Sequence, residues 1–242
     1  MIKKCALCGT AVEMPVADHH ILPDEDAELD FRNFVREIDL SAGVVCCPKC
    51  GYCQVPALFD NPHFKYAERI VDRPVYRKQL ENMAFSDLQN YYLCMALILR
   101  PTDVLRAGMY SLHAAWVCDD EGYRAGGIRC RELAAADFLQ YIESRLKSIK
   151  NLDFDDCLYI CIYVDICRRS GYFGRAILFS SWLLTFYNRG FITVFRRFFR
   201  YEMYLSMKRD KRKHRLSELE IFSDNTKDLI KKILIIYHDY IG

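Results

Sequence analysis

Two copies of one short motif, Cys-x-x-Cys-Gly, most constrain how this chain can fold. They occupy residues 5–9 and 47–51, with 38 residues between the two pairs of cysteines. Two residues between the thiols let one tight turn direct both sulfurs at a single ion, and the glycine that follows accommodates a positive φ. Two such turns supply the four thiolates of a tetrahedral zinc shell. The spacing therefore predicts one Zn²⁺ ion held by Cys5, Cys8, Cys47 and Cys50.

A shell of four protein sulfurs leaves no open position for a substrate water, so the predicted zinc is structural. The interval between the pairs is longer than the usual 15–20 residues, which predicts a loop or an extra strand between them. A segment of about 60 residues buries too little apolar area to offset its chain entropy, and metal binding supplies the difference.

Cys46 and Cys53 flank the second motif and leave an alternative open, because either thiol could replace a ligand with changed spacing. We favour Cys47 and Cys50, since only that pair reproduces the first motif. Alternation along a strand from Val44 would also direct Cys46 away from the metal. Cys46 is therefore expected to be a small packed side chain, with a redox-sensing thiol beside the zinc as the alternative.

The chain has twelve cysteines, and their interpretation depends on the compartment. Lys3 and Lys4 are not followed by the unbroken apolar run of a signal peptide. The longest apolar stretches, at residues 91–99 and 177–186, fall short of the roughly 18–20 residues that span a bilayer. We therefore expect a cytoplasmic protein without a transmembrane segment, in which metal explains paired cysteines better than disulfides do.

Beyond residue 62 the pattern is helical. Ser86 and Gln89 form a capping box before an amphipathic run that Pro101 ends, and Asp103 is a candidate N-cap for a second helix. Later helices are expected at about 123–150, 155–169 and 225–240, with one more that contains residues 176–184 and another that begins after Gly190. The run at about 155–169 is apolar almost all round, which predicts a central position.

The corners Glu121-Gly122-Tyr123 and Ser170-Gly171-Tyr172 recur between helices and suggest degenerate repeat units. The predicted fold is therefore mainly α. A zinc-ribbon domain with short β-strands occupies residues 1–62, and a tetratricopeptide-like antiparallel helical array occupies residues 63–242.

Catalytic signatures are absent from the sequence: it has no phosphate-cradling glycine loop, nucleophile elbow or His-Glu-x-x-His helix. His19 and His20 with the acidic residues 24–26 lack the glycine turn of a metal loop, so we interpret them as a solvated loop. No small-molecule substrate is evident, and we expect a protein that is not an enzyme.

Residues 188–242 carry 13 basic and 7 acidic side chains. From Arg196 to Arg215, basic residues alternate with aromatic ones, an arrangement that could bind nucleic acid by phosphate contact and base stacking. The simpler interpretation is a helix with one buried apolar face and one solvated basic face. An anionic membrane surface is a third possibility.

The two cysteine motifs, the acidic residues Asp24, Asp26 and Asp30 between them, and residues 44–52 resemble the bacterial family catalogued as domain of unknown function 2225. Residues 111–116 and the helix after them resemble the tetratricopeptide-like region of that family. The resemblance covers most of residues 1–187, and it implies the fold and the four zinc ligands but no known reaction.

From these features we expect a cytoplasmic interaction protein whose helical groove holds a protein or peptide partner. The alternative is a nucleic-acid-binding regulator that uses the zinc ribbon and the basic C-terminal third. A redox sensor based on Cys46 or Cys53 is a further alternative.

Overall fold

The computed structural model describes residues 1–16, 27–32, 39–146, 153–186 and 192–219. Over these residues the chain is mainly helical, with a few short antiparallel strands near the N-terminus, and this confirms the predicted fold class. The acidic loop with His19 and His20 and the helix expected at about 225–240 lie outside the described residues.

Two short β-hairpins lie in the N-terminal part of the chain. β1 (Ile2–Lys4) pairs with β2 (Ala11–Glu13), and β3 (Val45–Cys46) pairs with β4 (Cys53–Gln54). Strands of two or three residues form few ladder hydrogen bonds, and an isolated hairpin is marginal at best in water. These hairpins therefore depend on other contacts.

Eight α-helices follow within the described residues. They are α1 (Glu68–Val71), α2 (Pro74–Leu80), α3 (Asp87–Leu99), α4 (Val104–Asp120), α5 (Arg124–Leu146), α6 (Phe154–Ser170), α7 (Phe173–Phe186) and α8 (Ile192–Met207). None of these helices is long and apolar enough to cross a membrane.

Side-chain caps determine where several helices begin. The backbone N–H of Ser86 donates to the Gln89 side chain over 3.1 Å, which confirms the capping box of α3. Asp103 accepts from the N–H of Arg106 at 3.0 Å and caps α4 as predicted. The cap of α6, Asp153, was not predicted.

The two predicted corners have the same local structure. Gly122 and Gly171 both have positive φ, at 70° and 91°. The tyrosine after each glycine donates its N–H to a cysteine carbonyl five residues back, at 2.8 Å in both corners. This is the hydrogen bond of a Schellman motif, in which glycine ends one helix before the next begins. The repeat itself stays a prediction.

Contacts divide the chain into two compact units. The first comprises Met1–His19 and Ile38–Asp137, and the second comprises His20–Glu37 and Phe138–Gly242. Part of the segment between the cysteine pairs, His20–Glu37, thus belongs to the second unit. Because compactness does not show which segments fold alone, the predicted boundary at residue 62 stays a prediction.

In the first unit, α3 packs along α4, and α2 packs on α3. Trp116 is fully buried and stacks on the His113 ring at 4.9 Å between centroids. The Tyr92 hydroxyl on α3 donates to the Leu40 carbonyl at 2.8 Å, which ties the segment before β3 to the helices.

In the second unit, α6 packs against both α7 and α8. All of its residues from Asp156 to Ser170 are buried, which confirms the central position predicted from its apolar pattern. Charged residues are buried there too. Arg168 donates to Asp165 on the same helix and, at 2.9 Å, to Glu202 on α8.

Each of these three side chains is at most 1% exposed. Burial and the neighbouring Asp165 carboxylate raise the pKa of Glu202 well above its usual range. The raised pKa favours the protonated form of Glu202 in the folded protein. Next to Arg168, Arg169 donates to Asp30 at 2.9 Å, so adjacent arginines of α6 bind segments distant in the sequence.

Candidate metal centre

The first Cys-x-x-Cys-Gly motif forms the turn between β1 and β2. Gly9 donates its N–H to the Cys5 carbonyl, and Cys5 donates its own to the Thr10 carbonyl, both at 2.9 Å. Gly9 has a φ of 71°, a conformation that glycine adopts without the steric cost of a Cβ. The turn thus brings Cys5 and Cys8 to one side of the hairpin.

The second motif repeats this turn between β3 and β4. Gly51 donates to the Cys47 carbonyl and Cys47 donates to the Tyr52 carbonyl, both at 2.8 Å, and the φ of Gly51 is 74°. The equivalent residues of both motifs therefore make equivalent bonds. Recurrence of the sequence motif predicted this recurrence of backbone structure.

The two turns bring four sulfurs together. All four Sγ atoms of Cys5, Cys8, Cys47 and Cys50 lie within 4.8 Å of one another. The Cys5–Cys50 and Cys8–Cys47 separations are 3.6 Å and 3.5 Å. Sulfurs at about 2.3 Å from a tetrahedral zinc ion would be about 3.8 Å apart, so the cluster can hold a metal ion with little adjustment.

Backbone N–H groups converge on these sulfurs and affect their proton affinity. At Cys8, burial acts to raise the pKa, but hydrogen bonds from the Thr10 hydroxyl and backbone outweigh it and lower the pKa to about 6. At Cys5 and Cys50, burial dominates and raises the pKa. Without a metal the Cys8 sulfur therefore ionises readily, whereas a metal binds all four cysteines as thiolates.

Helix α2 supports the second turn from outside. The Tyr76 hydroxyl donates to the Gly51 carbonyl at 2.8 Å and accepts from the Cys53 N–H at 3.2 Å. Arg77 donates to the Cys50 carbonyl at 3.0 Å. A Cβ on Gly51 would lie 2.6 Å from the Leu80 side chain, so a larger residue at this position would require Leu80 to move.

The first turn has its own support from the segment after β4. Ala6 donates its N–H to the Phe59 carbonyl at 3.2 Å. Lys3 donates to the Ala57 carbonyl and to the Asp60 carboxylate, both at 2.9 Å. Sequence analysis did not identify these supports, because their residues have no spacing relation to the cysteines.

Cys46 and Cys53 lie opposite each other on β3 and β4 and do not belong to the four-sulfur cluster. Cys53 is fully buried, and burial raises its pKa well above the usual range. Cys46 is partly buried, and its hydrogen bond with Cys53 and its burial raise its pKa as well. Both are therefore thiols in a strand pair, next to the centre but outside it.

The remaining cysteines are buried in helices. Cys157 and Cys161 are one turn apart on α6, and no third ligand joins them among the described residues. The sulfurs of Cys118 and Cys130 are 4.0 Å apart.

His214 is not near the four cysteines in sequence. Its ring lies 2.7 Å from the Glu218 carboxylate, and it belongs to the second unit.

The basic segment at 196–215 has the two-sided structure that the simpler interpretation predicts. Phe195, Phe198, Phe199 and Leu205 of α8 are buried. Arg197, Arg200 and Lys208 are exposed. One face of α8 thus belongs to the core of the second unit, and the other is basic.

Comparison of the chain with protein-family models, with curated proteins and with solved structures finds no match. The resemblance to the family of unknown function therefore stays a prediction. The four-sulfur cluster is the feature from which a function can be argued.

Proposed function

We propose that Cys5, Cys8, Cys47 and Cys50 bind one structural zinc ion. The observation that carries this proposal is the convergence of four sulfurs from two equivalent turns. A donor set of four thiolates suits zinc or iron and disfavours magnesium or calcium, which prefer oxygen ligands. With all four positions filled by protein, the ion has no place for substrate, so its role is to hold the two turns together.

Elemental analysis of the purified protein tests the identity of the metal. We expect one zinc per chain and no visible absorption, since zinc has a filled d shell. A coloured protein with one iron per chain would contradict zinc while leaving the site intact. A metal-free native protein would contradict the site itself.

The metal would also position a surface. The second turn bonds to Tyr76 and Arg77, and the neighbouring Val75 of α2 is 59% exposed. Met83, in the turn before α3, is 97% exposed. Exposed apolar side chains near a rigid element are suited to contact with another protein.

We therefore propose a non-enzymatic adaptor, located in the cytoplasm, where its twelve cysteines would not be oxidised to disulfides. Its first unit binds a protein or peptide partner through the surface that includes Val75 and Met83. The helical array supports this role, because stacked helix pairs of the tetratricopeptide type form concave binding surfaces.

An affinity capture with the full-length chain tests the adaptor role. We expect a captured protein that survives nuclease treatment and is lost with Val75→Lys or Met83→Lys. Leu178→Lys is the matched control, since Leu178 is 63% exposed but lies on α7 in the second unit. Capture of nucleic acid alone, or equal loss with all three variants, would contradict the proposed surface.

A further inference from the structure

The segment after α8 is strongly basic, yet buried contacts hold it in a defined conformation. Arg168 is fully buried and donates to the carbonyls of Asp210 and Arg212, both at 2.8 Å. The N–H of Asp210 donates to the Leu205 carbonyl at 3.0 Å and closes the last turn of α8. The basic side chains of this segment therefore project from a fixed backbone.

Arg209 occupies a backbone position that favours glycine. Its φ is 55°, in the left-handed region, and it follows the helix end where a Schellman motif normally has glycine. The left-handed conformation has a steric cost for any residue with a Cβ. Arginine at this point thus costs stability, but it places a cation on the surface, 5.2 Å from the centre of the Phe173 ring.

Three more cations lie over aromatic rings in the same part of the second unit. Lys211 is 5.9 Å from the Phe173 ring centre, Lys208 is 5.9 Å from that of Tyr204, and Arg175 is 5.2 Å from that of Tyr172. We call Arg175, Lys208, Arg209, Lys211 and these three rings the cation surface. Tyr172 and Tyr204 are 40% and 53% exposed.

Within the described ranges, ion pairs do not balance the charge of the cation surface. In the described part of the chain, no carboxylate forms an ion pair with any of its four cations. Neighbouring basic residues differ in this respect, since Arg212 pairs with Asp210, and Lys213 pairs with Glu28 at 3.2 Å. Positive charges on four ring-bound side chains, without carboxylate partners among the described residues, favour a polyanionic ligand.

We propose that the cation surface binds single-stranded nucleic acid, with its cations on the phosphates and its exposed tyrosines against unpaired bases. Basic grooves with aromatic side chains are the common means by which proteins bind single strands. A duplex keeps its bases stacked inside, where Tyr172 and Tyr204 could not reach them. This inference goes beyond the adaptor role and does not depend on the metal centre.

An anionic membrane fits the cation surface less well. Membrane-surface segments insert apolar side chains below the headgroups. Phe173 is only 9% exposed beneath Arg209 and Lys211, so it cannot enter a bilayer without losing both cations. The exposed rings are tyrosines, whose hydroxyl groups suit contact with bases and phosphates.

Fluorescence anisotropy of the full chain with a labelled oligouridylate of about 20 nucleotides tests the proposal. Four phosphate contacts on a single strand predict that log K falls with log salt with a slope of about −3. Arg209→Gly should weaken binding about five-fold at 0.1 M salt and reduce the slope to about −2. The same change should leave the melting temperature unchanged or raise it, because glycine suits the backbone.

Two further variants separate stacking from general charge effects. Tyr172→Leu removes a ring but no charge and should weaken binding at least five-fold. Lys78→Gln removes an exposed charge from α2 in the first unit and should change affinity less than two-fold. Equal effects of Lys78→Gln and Arg209→Gly would show non-specific attraction and overturn the proposal. Binding to phosphatidylserine vesicles without binding to the oligonucleotide would overturn it as well.

Discussion

Each of the two units brings ionisable side chains together, but by different chemistry. In the first, four cysteines from two hairpins converge within 4.8 Å, and each hairpin strand has only two or three residues. In the second, Arg168 is buried between the carboxyl groups of Asp165 on α6 and Glu202 on α8, and the helices around it have an apolar core. The first arrangement joins two short hairpins, whereas the second lies among packed helices.

This difference affects how much stability each centre contributes. Structural zinc sites bind with apparent free energies of about 10–16 kcal/mol, and that energy contributes to folding because the unfolded chain has no preformed site. A buried ion pair gains little relative to a packed apolar substitute, because desolvation offsets attraction. Loss of one partner is nevertheless costly, since it leaves a charge buried alone.

The two tryptophans allow the two units to be followed separately. Trp116 lies in the first unit and Trp182 in the second. In a Trp182→Phe background, fluorescence reports on the first unit, and in a Trp116→Phe background it reports on the second.

The largest expected effect is that of Cys47→Ser. It removes one of four ligands from a region with little core, so the metal is lost and both hairpins unfold. Elemental analysis measures the loss of zinc, and Trp116 fluorescence in the Trp182→Phe background measures the unfolding. Cys46→Ser is the matched control, because Cys46 is adjacent to Cys47 but outside the sulfur cluster, and it should retain zinc. Full zinc content in Cys47→Ser would contradict the ligand assignment.

Next in size is Arg168→Leu, which should destabilise the second unit by about 3–5 kcal/mol. The substitution leaves Asp165 without its cation and releases the carbonyls of Asp210 and Arg212. Denaturant unfolding followed by Trp182 measures the change, and zinc content should stay at one per chain. A loss of less than 1 kcal/mol would mean that the ion pair is not a structural element.

A comparison of two glycines separates backbone strain from crowding. Gly9 and Gly51 have nearly the same positive φ, but a Cβ would meet no atom within 4 Å at Gly9. Gly9→Ala should weaken zinc binding by about 1–2 kcal/mol, because alanine has a steric cost in the left-handed backbone conformation. Gly51→Ala should weaken zinc binding more than Gly9→Ala does, since its methyl group would also collide with the Leu80 side chain of α2. Competition with a chelator measures zinc affinity, and equal losses would contradict the docking of α2 on this turn.

The smallest expected effect is a change in pH dependence caused by Glu202→Gln. Burial raises the pKa of folded Glu202 above its ordinary value of 4.5, so the folded state holds a proton that the unfolded state releases. Stability from this group is therefore complete below about pH 4.5 and declines as the pH rises toward the folded pKa.

Glutamine cannot release a proton, and its carbonyl can still accept from Arg168. The unfolding free energy of the second unit, followed by Trp182, should therefore decline less between pH 5 and 8 in Glu202→Gln than in the parent chain. Parallel pH profiles for the two proteins would contradict a protonated Glu202.

The contrast between the units also explains what the sequence could predict. The sulfur cluster was predictable because each turn is local and its residue spacing reflects its geometry. Capping by Ser86 and Asp103 was predictable for the same reason, since each cap involves residues three apart. The central position of α6 followed from its apolar pattern.

Contacts between distant residues could not be predicted in this way. Arg168 and Glu202 are 34 residues apart, and Arg169 and Asp30 are 139 apart, with no pattern that connects them. The hydrogen bonds of Tyr76 and Arg77 to the second turn likewise join residues that are 25 and 27 positions apart in the sequence. A charged pair of residues in a helical run resembles a solvated face until the packing of the helices is known.

X-ray absorption at the zinc edge of the purified protein is the most direct test of the central claim, that four sulfurs hold one structural ion. We predict a single shell of four sulfur atoms at about 2.3 Å and no shorter shell. A shell of nitrogen or oxygen atoms at about 2.0–2.1 Å, or fewer than four sulfurs, would contradict it.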